Sequence, residues 1–426
     1  MKGRTKGLLA LSPIAVLLVV YLLASLLAGD FYKVPVSVAF VVAAVYGVFL
    51  LAGRSVRERI RIFSEGASHS DIMYMVWIFC LAGIFASIAK AMGAVDATVA
   101  LMLKAVPGHF LPAGLFIASC FISMAIGTSV GTIVALTPVV TGLAAELGAD
   151  NAWMVAIVVG GAFFGDNLSF ISDTTIAATQ SQGCRMKDKF KMNFFIVLPA
   201  ALAVLAIYLF NSPELDVAVG GALGGWYKSL PYLLVIVLAL TGMNVLVVLL
   251  CGIVVSALTG VLAGSLDLVA MFSAAGEGLQ SMCELILVTL LAGGLMNVVK
   301  TAGGFEYLIH ALTRRISSRK GAEAVIALLT GLTNLCTANN TIAILTTGSI
   351  AKNLSGKYGI EPRRSASIMD TVSCFVQGVI PYGAQVLMAS GLAAVNPLQI
   401  IPHLYYPMMI GAMVVLAIVF GFPRLK

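Results

Sequence analysis

Long runs of apolar residues recur along the chain, and they constrain its fold more than any other feature. Each run approaches or reaches the ~20 residues that an α-helix needs to cross a bilayer. No segment alternates apolar and polar residues over ~10 positions, as the strands of an outer-membrane barrel do. The sequence therefore predicts an all-α polytopic membrane protein. The clearest runs are 8–28, 34–52, 72–89, 194–210, 245–262, 281–299 and 405–420.

The composition agrees with lipid as the main surroundings of the chain. Of the 426 residues, 60% are hydrophobic and 11% are charged, whereas a soluble domain carries roughly 25% charged residues. The net charge of +7 does not indicate nucleic-acid binding, because the basic residues lie in loops between spans, where membrane topology places them. The first apolar run follows Lys2, Arg4 and Lys6 but is longer than a signal-peptide core, so we interpret it as a membrane helix.

Motifs of several other functional classes do not occur in the sequence. The seven cysteines are scattered without a CxxC pair, so we interpret them as small apolar residues rather than a disulfide or metal framework. The four histidines show no metal-ligand spacing, and there is no Walker A, HExxH or GxSxG sequence. We therefore expect neither an enzyme nor an ATP-driven pump, and no cofactor.

Two halves of the chain share one order of features. Gly83 falls against Gly293 at an offset of 210 residues, and the features between such anchors follow the same sequence. This order predicts two repeats, 1–212 and 213–426, within one transmembrane domain. Each repeat is expected to contain about five transmembrane helices plus a re-entrant hairpin or short helix pair, with broken helices at mid-membrane.

Basic loops predict the orientation of the chain, because Lys and Arg accumulate on the cytoplasmic side. The loop 314–320 is basic, whereas the corresponding loop 104–110 must lie outside, so the halves are related by a flip in the membrane. Such inverted-topology repeats are typical of alternating-access transporters. We expect a bacterial inner membrane location with both termini cytoplasmic. The cytoplasmic basic positions are taken as 2–6, 54–61, 185–191 (including Lys189), 314–320, 352–364 and 424–426.

Two apolar stretches, 111–147 and 321–354, must each return to the side on which they begin. Each can be a re-entrant hairpin with its tip at mid-membrane, or two complete short spans. We favour hairpins, because the tips at 127–132 and 334–341 are too polar for a lipid-facing turn and contain no charged residue.

Polar and glycine-rich segments interrupt two further spans, at 165–175 and 377–383. Irregular backbone at membrane depth is tolerated only where protein or a water-filled cavity covers it. We expect the freed carbonyls and half-helix ends at these breaks to point at a common centre. Hydroxyl and amide oxygens would add the ligands that hard cations prefer.

Asp166 and Asp173 are the sharpest candidates for cation and proton binding. They lie seven residues apart in an interrupted span, where ionisable groups are costly and usually functional. Two carboxylates in one low-dielectric site can hold one cation or protons, but not both, which predicts a shared Na⁺ and proton site. Capping of a half-helix is the alternative role for either aspartate. Asn167, Ser169 and Thr174 are expected to add oxygen ligands.

The hairpin tips and the second broken span supply the remaining candidates. Hydroxyls and amides at two symmetric tips are expected to line the site, although such groups also cross-link membrane helices. Asp370 can be a third acid or can face a loop near Arg363 and Arg364. The tip candidates are Thr128, Ser129, Thr132, Thr337, Asn339, Asn340 and Thr341, and the secondary candidates are Asp370, Gln377 and Tyr382.

The segment Gly165-Asp166-Asn167-Leu168-Ser169-Phe170-Ile171-Ser172-Asp173-Thr174-Thr175 resembles the long motif of the NhaC-type Na⁺/H⁺ antiporter family, within the ion transporter superfamily of inverted-repeat carriers. The segment 127–132 also fits the family pattern. The resemblance covers most of the chain and is strongest over 125–180. It implies that Asp166 and Asp173 belong to the ion-binding site. Asn167 and Phe170 stand where family members commonly carry Lys and Pro, which alters the charge balance of the site.

Three functional hypotheses follow from these features. The favoured one is a secondary antiporter that exchanges Na⁺ or Li⁺ for protons across the lipid bilayer. We expect no nucleic-acid partner. The alternative is an Na⁺- or H⁺-coupled carrier of a small organic anion or amino acid, since half-helix N-termini can bind a carboxylate. An intramembrane enzyme or a channel is the third. The sequence leaves the oligomeric state open, with a homodimer as one option.

Overall fold

The computed structural model describes residues 2–27, 35–105, 110–169, 172–210, 225–241, 243–313 and 316–423. Within these ranges every regular element is a helix. Phe170, the segment 211–224 and the basic residues Arg314, Arg315, Arg424 and Lys426 lie outside the described residues. The helices of the first half are α1 (Lys2–Leu27), α2 (Val36–Leu50), α3 (Val56–Ala67), α4 (Ser70–Ala91), α5 (Ala94–Ala105), α6 (Leu111–Ile126), α7 (Ser129–Glu146), α8 (Asn151–Leu168), α9 (Asp173–Gln182) and α10 (Met186–Phe210).

The remaining helices follow residue 212. They are α11 (Leu230–Leu240), α12 (Val245–Leu262), α13 (Leu268–Ser281), α14 (Cys283–Thr301), α15 (Gly304–Thr313), α16 (Arg319–Thr337), α17 (Asn340–Tyr358), α18 (Pro362–Val379), α19 (Ala384–Ala393), α20 (Pro397–Ile400) and α21 (Tyr405–Phe420).

Seven helical segments, some of which comprise two of the helices above, are long and apolar enough within the described residues to cross a membrane. The count is eight if the bent pair Pro397–His403 and Tyr405–Phe420 is one span. Two of the seven, Asn151–Gln182 and Pro362–Ala393, contain the expected breaks. The prediction of an all-α polytopic membrane protein with broken helices is therefore confirmed. The runs near the N-terminus appear as the shorter apolar helices Gly7–Tyr21 and Ser37–Leu50, among others.

The two broken spans lie at the centre of the molecule. Asn151–Gln182 is buried throughout its most apolar window, whereas only 28% of Val245–Leu262 is buried. Helices α6, α7, α10, α18, α19 and α21 enclose α8. Exposed leucine, valine and phenylalanine side chains lie on α1, α2 and α12, where they can face lipid. Burial thus separates a lipid-facing layer from a polar centre.

Each apolar stretch that was expected to turn back forms a helix pair with a short, polar tip. Helix α6 ends at Gly127, whose φ of 74° is the left-handed conformation that glycine adopts readily. Helix α16 ends in the same way at Ala338, with a φ of 51°. The Ser129 amide reaches Asp166, and the Gln377 side chain reaches Ala338. Each tip meets a broken span near its interruption, whereas α7 is itself long and apolar enough to cross a membrane. Re-entrant hairpins rather than complete spans therefore remain a prediction.

Two helix pairs join the first part of the chain to the second. The amphipathic helix α3 packs on α14 of the other half, and α13 packs on α4. A Cβ added at Gly66 would overlap the Gly293 carbonyl oxygen, and one added at Gly83 would overlap that of Gly278. The reciprocal contacts agree with two related halves. The repeat itself, its boundary and its inversion remain predictions.

Close packing of α8 on α6 makes Gly165 sensitive to substitution. A Cβ at Gly165 would overlap the side chain and backbone of Ser123, which is fixed because its hydroxyl donates to the Ala162 carbonyl oxygen at 2.7 Å. We expect Gly165→Ala to destabilise the protein by about 1–3 kcal/mol, as overpacked cores are. Thermal unfolding in detergent measures the effect.

Gly276→Ala is the matched control, because a Cβ there meets nothing within 4 Å. Alanine also has the higher helix propensity, by up to about 1 kcal/mol. We expect a midpoint equal to or above that of the wild type. Equal midpoints for the two variants would contradict the tight packing of α8 on α6.

Candidate functional site

A cavity of about 490 Å³ lies between the two hairpin tips, the first broken span and one wall of α4. Both predicted aspartates, Asp166 and Asp173, line it, although they approach from opposite sides of a helix break. Its lining residues are Tyr74, Met75, Ile78, Phe79, Gly127, Thr128, Ser129, Val130, Asp166, Asp173, Thr174, Ile176, Ala177, Gln180, Asn339, Asn340, Thr341, Leu345, Ala384, Gln385 and Met388. Carboxylates, amides and hydroxyls thus share one chamber with apolar walls.

Asp166 lies in the last turn of α8 and is buried. Its Oδ1 accepts a hydrogen bond of 3.0 Å from the backbone N–H of Ser129, the first residue of α7. A helix N-terminus favours a negative charge, because its first N–H groups lack intrahelical partners. The Ser129 hydroxyl in turn accepts a hydrogen bond of 3.0 Å from Gln385 Nε2. The tip of the first hairpin therefore orients the Asp166 carboxylate.

Asp173 is exposed where it lines the cavity, and it is the first residue of α9. The N-cap of that helix is Ser172, whose hydroxyl accepts a hydrogen bond from the Thr175 N–H. Asp166 lies at the C-terminal end of α8. Neither aspartate is therefore the N-cap residue of its own helix, but the Asp166 carboxylate accepts a free N–H at the N-terminus of α7. The capping alternative therefore stays open beside ion binding.

Two backbone carbonyls at the break, those of Asp166 and Asn167, bind groups of the protein rather than the cavity as expected. The Asp166 carbonyl oxygen accepts hydrogen bonds from the hydroxyls of Ser172, Thr174 and Thr175, at 2.7, 3.3 and 3.3 Å. The Asn167 carbonyl oxygen accepts from side chains of α10. Internal donors thus satisfy these two carbonyls. The side-chain carboxylates, rather than these carbonyls, supply the negative charge at the cavity.

Of the three predicted neighbours of the aspartates, Thr174 lines the cavity and two do not. Asn167 is fully buried, and its side chain bonds to Asp370 and to the Tyr406 hydroxyl. The Ser169 hydroxyl donates to the Met124 carbonyl oxygen at 2.8 Å, which ties the break to α6. Successive helical residues point about 100° apart, so Asn167 faces away from the chamber that Asp166 lines.

Five of the seven predicted tip residues line the cavity: Thr128, Ser129, Asn339, Asn340 and Thr341.

Thr132 and Thr337 are not among the lining residues. The Thr132 hydroxyl donates to the Thr128 carbonyl oxygen one turn earlier, at 3.2 Å. The Thr337 hydroxyl donates to the Asn339 carbonyl oxygen at 3.0 Å, across the tip of the second hairpin. Both hydroxyls therefore satisfy local backbone, as Ser and Thr in membrane helices often do.

The secondary candidates support the site from outside the cavity. Gln377 Nε2 donates to the Ala338 carbonyl oxygen at 2.7 Å, and the Tyr382 hydroxyl donates to the Leu335 carbonyl oxygen at 2.7 Å. Both bonds hold the second hairpin. Asp370 is fully buried within α18, so the loop-facing alternative for this residue is wrong.

Lys189 was assigned to a cytoplasmic basic loop, and the structure corrects that assignment. It lies in the first turns of α10 with its side chain 1% exposed, 2.8 Å from Asp370 Oδ2. The flanking Lys187 and Lys191 are exposed. The spacing of Lys189 and Asn193, four residues apart at the start of an apolar helix, is the sequence signal of one inward polar face. Gln180 and Gln385 are further lining residues that sequence reasoning missed.

Known proteins resemble the chain over most of its length. The Na⁺/H⁺ antiporter family matches residues 7–212 and 222–422. The Na⁺/H⁺ antiporter NhaC of Alkalihalophilus pseudofirmus is 23% identical over 88% of this chain and 87% of that protein. NhaC of Bacillus subtilis is 25% identical over 77% of this chain and 80% of that protein.

More distant similarity extends to other transporters. The arginine/ornithine antiporter ArcD of Halobacterium salinarum is 23% identical over 83% of this chain and 80% of that protein. Among solved structures, the Alcanivorax borkumensis YdaH transporter is 14% identical, covers 88% of this chain and 91% of its own, and has a TM-score of 0.44. The match of the family across both halves decides the assignment: the chain belongs to the Na⁺/H⁺ antiporter family, and it is a multi-pass membrane transporter with NhaC-type relatives.

Proposed function

We propose that this transporter exchanges Na⁺ for protons, and that Asp166 and Asp173 hold the cation and the protons in turn. The observation that carries the proposal is the shared cavity, which both carboxylates line where a hairpin tip meets a helix break. Li⁺ is expected to substitute for Na⁺, because hard cations of single charge take the same oxygen ligands. Cytoplasmic termini remain a prediction from the loop charges.

The electrostatic cost of uncompensated charge explains why such a site would exchange Na⁺ for protons rather than change its side of access with neither bound. With both carboxylates ionised and no cation bound, the cavity carries two negative charges within the membrane. Each uncompensated charge at membrane depth costs at least ~2.5–3.5 kcal/mol. A bound Na⁺ or proton lowers that cost, so the loaded forms can change their side of access while the empty form is held back. Coupling then follows from competition for the same oxygens.

Transport by purified protein tests the proposal. Proteoliposomes with a trapped pH dye would receive Na⁺, Li⁺ and K⁺ in separate additions, without any organic solute. We expect Na⁺ and Li⁺ to drive proton movement and K⁺ to drive much less. The absence of proton movement with every cation, from protein shown to be folded, would contradict the proposal. Organic solutes would then be tested, since relatives are named as arginine/ornithine and malate/lactate antiporters.

Competition at shared carboxylates also predicts a pH dependence. As pH falls, protons occupy Asp166 and Asp173 and must leave before Na⁺ binds. The apparent KM for Na⁺ is therefore expected to rise, by up to about tenfold per pH unit for one competing proton. Initial rates over a range of Na⁺ concentrations at each pH give this value. A KM that stays constant between about pH 5 and 9 would argue against shared carboxylates.

A further inference from the structure

A second charged group lies close to the first helix break but is not among the cavity-lining residues. Lys189 of α10 and Asp370 of α18 form an ion pair with 2.8 Å between Nζ and Oδ2. Their side chains are 1% and 0% exposed. Removing two charges from water costs about as much as their attraction returns, so such a pair is weak evidence for stability alone. Its contacts indicate a different role.

The ammonium group of Lys189 joins the two sides of the break. Besides Asp370, its Nζ donates to the Asn167 carbonyl oxygen at 2.9 Å and to Thr175 Oγ1 at 2.6 Å. Asn167 belongs to the last turn of α8, and Thr175 belongs to the first turn of α9. An ammonium has three N–H donors, so these contacts use all of them. One side chain thus fixes the separation of the half-helices.

The carboxylate of Asp370 also binds the end of α8, through Asn167. Its Oδ2 also accepts hydrogen bonds from Asn167 Nδ2 at 3.1 Å and from Asn193 Nδ2 at 2.8 Å. Asn193 Nδ2 lies 2.9 Å from the Asn167 carbonyl oxygen as well. The Tyr406 hydroxyl donates to Asn167 Oδ1 at 2.9 Å. Asn167, the residue next to Asp166, is therefore held at both its backbone and its side chain.

One hydroxyl connects this group to Asp166 itself. Thr175 Oγ1 accepts from Lys189 Nζ, and it can donate its own hydrogen to the Asp166 carbonyl oxygen, 3.3 Å away. The ion pair thereby orders the peptide groups of both Asp166 and Asn167. Because the two charges compensate each other, the pair adds no net charge beside the cavity. These are the properties of a support for the binding carboxylate.

We propose that Lys189 and Asp370 are positioning residues for the exchange reaction. They order the break between α8 and α9, aim the Asp166 carboxylate into the cavity, and so set the affinity for the cation without touching it. This inference rests on the proposed function, in which Asp166 binds the transported cation. It also gives the chain a lysine beside the helix break, although Asn167 stands where the resemblance leads one to expect one.

The test compares Lys189→Met, Asp370→Asn and the double variant, with Lys191→Met as control. Each single variant leaves one uncompensated buried charge, so we expect less folded protein. The double variant removes both charges and should recover the yield. It still lacks the donors to Asn167 and Thr175, so its KM for Na⁺ should rise about tenfold with kcat changed less than about twofold. Lys191→Met, on the exposed face of α10, should match the wild type in yield, KM and kcat.

Amide hydrogen exchange supplies a readout that does not depend on transport. In the double variant without added cation, residues 165–169 and 172–176 should exchange faster than in the wild type, because their supporting hydrogen bonds are lost. Unchanged exchange there, or a KM equal to that of the wild type, would overturn the positioning role. A wild type that moves no protons with any cation would instead overturn the proposed function, and the exchange data would still report on the pair.

Discussion

Asp166→Asn is expected to abolish Na⁺-driven proton movement while leaving the folded protein in the membrane. The amide has nearly the shape of the carboxylate, so packing in the last turn of α8 should survive. It carries no charge and is neither protonated nor deprotonated near neutral pH, so the cavity loses one of its two carboxylates. The remaining charge of Asp173 can neither hold Na⁺ as tightly nor complete the exchange. We expect the rate in proteoliposomes to fall at least about 100-fold, which corresponds to about 2.7 kcal/mol.

Two further variants complete that experiment. Asp173→Asn should have a similarly large effect, because Asp173 lines the same cavity. Asp188→Asn is the control, since Asp188 pairs with the exposed Arg185 at the surface, and such pairs contribute ~0–1 kcal/mol. All three proteins must elute as folded species with similar melting temperatures. Normal exchange by Asp166→Asn would show that the mechanism proposed for the cavity is wrong.

The central polar residues were predictable because they are polar groups within otherwise apolar segments. A carboxylate within an apolar run is costly, so Asp166 and Asp173 stand out against the residues that flank them. Glycines and hydroxyls at 127–132 interrupt another run and likewise mark a backbone break. These polar interruptions of apolar runs located the two aspartates of the cavity and the first hairpin tip.

The side chains that support those residues were harder to predict from the sequence. Asn167 follows Asp166 directly, yet about 100° of helical rotation turns it away from the cavity. Only the packing of α8 against α10 and α18 decides which of the two faces the chamber. Lys189 stands among surface lysines in the sequence, and its partner Asp370 is 181 residues away. A rule that assigns basic clusters to loops treats all of these lysines alike.

Ser129→Pro is expected to weaken Na⁺ binding strongly with little disturbance of the fold. The substitution removes the N–H that donates to Asp166 Oδ1. Ser129 is the first residue of α7, where proline is well tolerated because that N–H has no intrahelical partner. Thr128 before it has φ −148° and ψ 127°, close to the extended conformation that a residue preceding proline prefers. The local backbone can therefore accept the ring, but the proline Cδ takes the place of the amide hydrogen and must also displace the Asp166 carboxylate.

The matched variant Ser129→Ala keeps this N–H and loses only the hydroxyl, which accepts from Gln385. The difference between the two variants reports the loss of one hydrogen bond to a charged group, worth about 1.5–3 kcal/mol, together with the displacement of the carboxylate by the proline Cδ. The KM for Na⁺ of Ser129→Pro should therefore exceed that of Ser129→Ala by roughly 10- to 150-fold. Equal values in folded proteins would mean that the N-terminus of α7 does not orient Asp166 for the cation. The carboxylate would then have to be oriented by the break itself, through Lys189 and Thr175.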